Sequence, residues 1–194
     1  MAWCRCYGLQ HRKQPAEHRP VAQYRLHRSR DACLLPRARL CSHLSREFSW
    51  VSEFDGAYCF GNSFGYLDRA NAAKFLNGIA RSLKPGGRLA VETGMAAESI
   101  LPGLLKTRWF KFGDIFMLSQ NQYHPAEGRL DIEYTFIQHG DVDTRPTASY
   151  VFTVAEMCRM HAEAGLETVE LLGSTAGEPY QLGSQRLLLI SEKR

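Results

Sequence analysis

The sequence predicts an α/β fold: a parallel core sheet truncated at its N-terminal side, with an antiparallel meander inserted and an antiparallel terminal hairpin. Three observations carry this. A strand, a helix and a second strand follow one another between residues 54 and 92, and such a unit implies parallel strands joined by a right-handed crossover. Leu130, Ile132, Tyr134 and Phe136 then alternate strictly with other residues, the signature of strands with one buried and one wet face. Two apolar strands close the chain around a Gly- and Ser-containing loop.

Each element has its own signal. Residues 54–60 (Phe54 to Phe60) read as a short buried strand that ends in the small polar turn Gly61, Asn62, Ser63. Asp68 can cap the next helix, which gathers Phe75, Leu76, Ile79, Ala80 and Leu83 on one face. The run from Lys84 through Pro85 and Gly86 to Gly87 stops it, because proline cannot continue a helix and glycine supplies a turn. Arg88–Glu92 is the second strand and should pair with the first. The meander spans 114–152: strands Asp114–Tyr123, Arg129–His139 and Arg145–Phe152, with turns at 124–128 and 140–143. Thr153 and Glu156 form a capping box, a side-chain oxygen on a backbone N–H and a carboxylate reaching back. The helix that follows presents Met157, Met160 and Ala164 and ends at Gly165. Strands Glu167–Leu172 and Arg186–Ile190 should extend the sheet, the final one antiparallel.

Composition bounds the rest. A chain of 194 residues with 44% hydrophobic content has a single-domain length and enough apolar material for a core. No run of about eighteen apolar residues spans a bilayer, and the N-terminus lacks a signal-peptide pattern, so a cytoplasmic protein without a membrane partner is expected. Charge is unevenly spread. Residues 1–46 hold ten basic and two acidic side chains, a net +8, so the whole-chain +4 leaves residues 47–194 at −4. The high basicity therefore does not belong to the folded body, which argues against a nucleic-acid partner.

Two regions follow: an irregular basic segment, 1–46, and an ordered body, 47–194. Three readings of the first compete. It is a disordered basic arm; or a metal site built from Cys4, Cys6, His11, Cys33, Cys41 and His43, whose spacing fits no common zinc pattern; or a product of a shifted reading frame or mis-assigned start, with the native frame resuming near Arg46. The abrupt change of charge, the clustering of Arg, His, Cys, Pro and Leu, and the absence of periodicity before Glu47 motivate the third. It would leave the strand at 54–60 as an unprotected sheet edge.

The body resembles the class I S-adenosylmethionine-dependent methyltransferases. The resemblance rests on Phe54 to Ala57, on the stretch from Gly61 through Asn62 and Ser63 to Leu67, and on Leu83, Lys84, Pro85, Gly86 and Gly87 followed by the apolar strand to Val91. Ala164, Gly165 and Leu166, with Arg186 to Ile190, are similar to that family's last helix and final hairpin. The turn Gly61, Asn62, Ser63, Phe64 and the three-stranded insert look, more narrowly, like small-molecule N-methyltransferases of the glycine and sarcosine type.

That resemblance implies a Rossmann-like sheet, S-adenosyl-L-methionine as cofactor and a small-molecule acceptor. It implies that Phe60, Gly61 and Ser63 line the cofactor and that Asn62 and Tyr66 face the substrate; no catalytic side chain is assigned. Ligands in open parallel sheets sit beyond the carboxyl ends of the strands, which brings Phe60–Phe64 and Thr93–Met95 to the site. Plainer roles are available: Asn62 and Ser63 can satisfy turn backbone, Gly61 can serve the turn alone, and Tyr66 can be a packing aromatic. Cys59 reads as a small core hydrophobe, and Arg145 can meet a substrate carboxylate from the insert, although a solvated strand charge is the plainer reading. His124, His139 and His161 form no ligand pair. The meander at 114–152 is expected to cover the substrate end of the pocket. The family's glycine-rich turn and ribose-binding acid have no counterpart before Gly56. Weak cofactor binding is therefore expected, and a non-catalytic binding module is the alternative function. A nicotinamide-dependent enzyme is disfavoured, since no Gly-x-Gly-x-x-Gly occurs.

Overall fold

Phe54, Ala57 and Cys59 are the buried positions of a six-residue strand, and the sheet is built outward from it. The computed structural model describes residues 7–10 and 50–194. Strand β1 is Tyr7–Gln10 and β2 is Phe54–Cys59. Helix α1, Arg69–Ser82, leads to β3, Leu83–Thr93, which pairs with β2 in parallel. The helix starts where its cap is. The Asp68 carboxylate accepts from the Asn71 backbone N–H at 2.7 Å and from its side-chain amide at 2.9 Å, which satisfies a donor the first turn would otherwise orphan. Its apolar stripe, Ala72, Phe75, Leu76, Ile79 and Ala80, is buried against the sheet.

The glycine-containing run after α1 does more than end it. Phe54 faces Leu83 across the pair, and the next partners are Gly56 and Arg88, so residues 84–87 form a bulge at the entry of β3. Gly86 has φ +74°, and a Cβ on Gly87 would lie 2.8 Å from the Lys84 carbonyl oxygen; only glycine fits there. The Lys84 ammonium pairs with Asp55 at 3.0 Å and ties the bulge to β2.

Helix α3 (Val154–Glu163) is followed by β8 (Leu166–Leu172) and β9 (Leu187–Lys193). The sheet order is β1-β2-β3-β9-β8. β9 lies antiparallel between β3 and β8, as the terminal hairpin requires. Leu76, Leu83, Leu89, Leu166, Leu187 and Leu189 are all fully buried. Thr153 accepts from the Glu156 N–H at 3.1 Å, but only half of the expected capping box forms: the Glu156 carboxylate turns to Arg69 of α1. Glu98 accepts from the Val154 N–H at 3.1 Å and satisfies a different donor of the first turn.

Two expectations are corrected. Within the segment expected to be irregular, β1 pairs antiparallel with β2, so β2 is not an edge; a strand's free N–H and C=O groups template such pairing. The readings placed on residues 1–6 and 11–46, with Cys4, Cys6, His11, Cys33, Cys41 and His43, lie outside the described residues. The insert has four strands, not three: β4 (Thr107–Phe112), β5 (Ile115–His124), β6 (Arg129–Gln138) and β7 (Asp141–Tyr150), paired in that order. β4 escapes a burial-based reading because its residues are exposed save the half-buried Phe110. β7 starts earlier than expected because the reversal is confined to His139 (φ 51°) and Gly140 (φ 91°). Positive φ at both centres is the hairpin turn that matches strand twist.

Between the two sheets runs the short helix α2 (Ala97–Ile100). Met95, Ala97, Ile100, Leu101 and Leu104 pack against Leu130, Ile132 and Val151 of the second sheet, which fixes that sheet beside the carboxyl end of β3.

Candidate functional site: two strand-end loops under a second sheet

β2 and β3 run side by side and deliver their carboxyl ends to one place. After Cys59 the chain passes Phe60, half-buried, and enters two left-handed residues, Gly61 at φ +71° and Asn62 at φ +63°. Gly61 is open: nothing lies within 4 Å of a Cβ built there. Asn62 is a residue type that tolerates this conformation because its short amide can bond locally. It uses that amide across the site. Its Oδ1 accepts from the Gly94 N–H at 2.6 Å, from Arg186 Nη2 at 3.3 Å and from the Thr93 hydroxyl at 3.5 Å. Thr93 Oγ1 in turn accepts from the Met95 N–H at 2.9 Å. The loops expected at the site, 60–64 and 93–95, are thus fastened together by Asn62.

A second fastening lies beside the first. The Gly61 N–H donates to Glu92 Oε2 at 2.9 Å, and the other Glu92 oxygen pairs with Arg186. Burial pushes the Arg186 guanidinium below its ordinary pKa, and the carboxylate opposite keeps the charge compensated. Neither Glu92 nor Arg186 stands out in the sequence. One ends an apolar strand and the other precedes one, 94 residues later, and only the antiparallel return of β9 joins them. An acid closing a buried strand was the one available signal.

The remaining site residues separate by exposure. Ser63 and Phe64 are buried, 2% and 1% exposed, in a 3-10 turn spanning Ser63–Tyr66, while Tyr66 is 39% exposed at its end. Gly65 packs on Met95: a Cβ there would meet the Met95 side chain at 3.1 Å. Burial first, then Tyr66, raises the Tyr134 pKa, and a Cβ on Gly65 would lie 3.5 Å from the carbonyl oxygen of Tyr150 at the end of β7. The second sheet therefore leans over the turn.

Between that sheet's inner face and residues 95–105 lies a cavity of about 220 Å³, lined among others by Met95, Ile100, Leu104, Phe110, Leu130 and Tyr134. Arg145 is 62% exposed and pairs with Asp143. His124 meets Asp131 at 3.0 Å, and His139 meets Asp114 at 3.1 Å. His161 is in the core, its Nδ1 2.9 Å from Ser191 Oγ. Cys59 is fully buried. Among the described residues no cluster of His, Cys, Asp and Glu has the makings of a metal site, and no helix is long and apolar enough to cross a membrane.

No family model matches the chain. A curated relative, the cypemycin N-terminal methyltransferase of a Streptomyces species, is 30% identical over 154 residues, which are 77% of this chain and 62% of the relative. Solved structures share the fold at low identity. The CcbJ methyltransferase of Streptomyces caelestis superposes with a TM-score of 0.70 at 15% identity, over 79% of this chain and 62% of its own. An S-adenosylmethionine-dependent methyltransferase of Clostridium acetobutylicum gives 0.66 at 14% identity, over 79% and 63%. CalS10, an amino pentose methyltransferase of Micromonospora echinaspora solved with S-adenosylmethionine bound, gives 0.56 at 16%, over 78% and 62%. The chain spans a little over three-fifths of each of these proteins. It resembles the class I S-adenosylmethionine-dependent methyltransferases and has their Rossmann-like fold. None of the relatives named here is a glycine or sarcosine methyltransferase.

Proposed function

We propose that this chain carries the acceptor-side part of an S-adenosylmethionine-dependent N-methyltransferase acting on a small molecule. The observation that carries the reading is the junction of the β2 and β3 carboxyl ends through Asn62 and Gly94, 2.6 Å apart, beneath a second sheet. Open parallel sheets bind ligands at that end. The acceptors in the names of the cypemycin relative and the amino pentose enzyme, an N-terminus and an amino sugar, each carry an amino group, which supports nitrogen as the acceptor atom. The glycine and sarcosine acceptors expected from the insert gain no support from them, and the acceptor is left at the level of a small amine.

The residues present fit one side of the cofactor. Gly61 offers an open backbone surface at the strand end, and half-buried Phe60 offers an apolar one beside it. Ser63, buried under the turn, supports the loop from below. When bound, S-adenosylmethionine supplies an electrophilic methyl on its sulfonium. The chain contributes placement: Asn62 holds the two loops together, and the four-stranded sheet, with Tyr134 on its inner face, covers the cavity by Met95. Proximity and desolvation of this kind suffice for a displacement that needs no acid or base from the protein at the methyl itself.

The glycine-rich turn and ribose-binding acid have no counterpart among the described residues. Cofactor binding by this chain is accordingly proposed to be weak, with impaired transfer, in a cytoplasmic setting. A second reading, a non-catalytic binding module, draws on the same lack of that turn and acid among the described residues. Calorimetric titration with S-adenosylhomocysteine separates them. Saturable binding weaker than micromolar, with slow methyl transfer to a small amine, is the expected result. Micromolar affinity would overturn the impairment, and no binding at millimolar ligand would favour the module.

A further inference from the structure

The inner face of the second sheet carries one row of side chains with a direction to it. Arg108 of β4 faces Ser119 of β5, Ser119 faces Tyr134 of β6, and Tyr134 faces Arg145 of β7. Directly opposed residues share a face, so Arg108, Ser119 and Tyr134 look the same way, and all three line the cavity of about 220 Å³. Adjacent strands lie about 4.8 Å apart, which puts Arg108 roughly 10 Å across the sheet from Tyr134.

The two ends of this row differ in chemistry. Tyr134 and Met95 pack on the same cluster of Leu130, Ile132 and Val151, and Met95 in turn packs on Gly65 of the turn that follows the Gly61–Asn62 loop, so that end belongs to the reaction centre. Arg108 is the only charged side chain lining the cavity. It makes no ion pair among the described residues; its guanidinium lies 5.4 Å from the centroid of Phe110, over the ring. Arg145, at the far edge of the same row, has its carboxylate in Asp143. Between the ends the wall is mostly apolar, Met95, Ile100, Leu104, Met117 and Leu130, with Ser119 and Asn121 as its polar members. An exposed guanidinium over an aromatic ring at the end of a mostly apolar slot presents the forked N–H donors that a bidentate anion takes.

We propose that the cavity is the acceptor subsite and that it selects amines bearing an anionic group at the far end of a compact apolar body. The amine lies at the Tyr134 end, and the anion pairs with Arg108. This rests on the methyl-transfer reading for which end is the reacting one, but the Arg108 contact stands on the cavity alone. Carboxylate and phosphonate share the chemistry that a guanidinium reads, and the probes separate them.

The test titrates the full chain calorimetrically with benzylamine, 4-(aminomethyl)benzoate and (4-aminomethylphenyl)phosphonate. The expected result is that at least one anionic probe binds about tenfold tighter than benzylamine, the gain of a charge-assisted bidentate pair. The tighter of the two names the anion. Arg108→Gln should erase the preference to within about twofold while leaving benzylamine affinity unchanged. Unaltered far-UV circular dichroism and an unchanged unfolding midpoint verify the fold. Equal affinity for the three probes, a preference that survives Arg108→Gln, or no binding of any probe overturns the proposal. A parallel titration with S-adenosylhomocysteine keeps the two readings apart. Loss of the anion preference with cofactor-product binding intact sinks only the acceptor class. An intact, Arg108-dependent preference without such binding sinks the methyl-transfer reading and leaves the anion subsite standing.

Discussion

Asn62 pays a conformational cost at φ +63° and recovers it by closing the site, which makes it a sharp test residue. Replacement by alanine keeps the left-handed backbone, removes its local compensation and leaves the half-buried Gly94 N–H without its acceptor. The expected loss is about 2–3 kcal/mol of unfolding free energy. Asn62→Gly relieves the backbone but still loses the bond, so it should cost about 1 kcal/mol. Urea denaturation of both variants measures this; wild-type stability in both would dismiss Asn62 as a fastener. His161 supplies a second residue-scale test. It is fully buried, and its Nε2 has no hydrogen-bond partner among the described residues. Burial lowers its pKa from 6.5 to about 4. Between those values the unfolded chain holds a proton that the folded chain does not. The stabilisation is complete above about pH 6.5 and drains away as pH falls toward 4, by an amount on the order of 3 kcal/mol. His161→Leu should flatten that part of the pH–stability curve, and an unchanged slope would assign the acid loss elsewhere.

At the scale of elements, the bulge at the start of β3 turns a compositional signal into geometry. Gly87→Ala would place a Cβ 2.8 Å from the Lys84 carbonyl oxygen. A backbone atom cannot rotate away, so thermal or chemical unfolding should register a loss of roughly 2 kcal/mol. Gly103→Ala, with open space and an ordinary φ, is the control and should be near neutral. How far the elements were legible follows from what each one buries. α1 was readable in full because one face is apolar and its ends carry Asp68 and the glycines. β5 and β6 were readable because one face is wet. β4 was hidden: Thr107, Arg108, Trp109, Lys111 and Phe112 are all exposed, so no alternation in burial marks them. What placed it is cross-strand pairing with β5, from Thr107 and Gln120 to Phe112 and Ile115, which is information held by two segments jointly. The same reason hid Glu92 and Arg186, whereas the Gly61–Ser63 turn could be found because its unusual backbone demands unusual residues.

The molecule as a whole is two sheets meeting at a seam, the β-sheet core on one side and the four-stranded cover on the other, with residues 95–104 between them. The order β1-β2-β3-β9-β8 has a bearing on how such a chain comes into being. β3 is flanked on one side by β2, made shortly before it, and on the other by β9, made much later; Arg88 and Glu192, which bridge them, are 104 residues apart. At roughly 5–20 residues per second on a ribosome, that separation is on the order of 5–20 s. Throughout that interval β3 has one flank unsatisfied, and Leu187 and Leu189 have yet to reach the core they complete. The four-stranded sheet, whose strands each pair with their neighbours in the chain, has time to form first. The nascent protein thus waits with its cover assembled and its core ajar, and the last strand to be synthesised closes the central sheet.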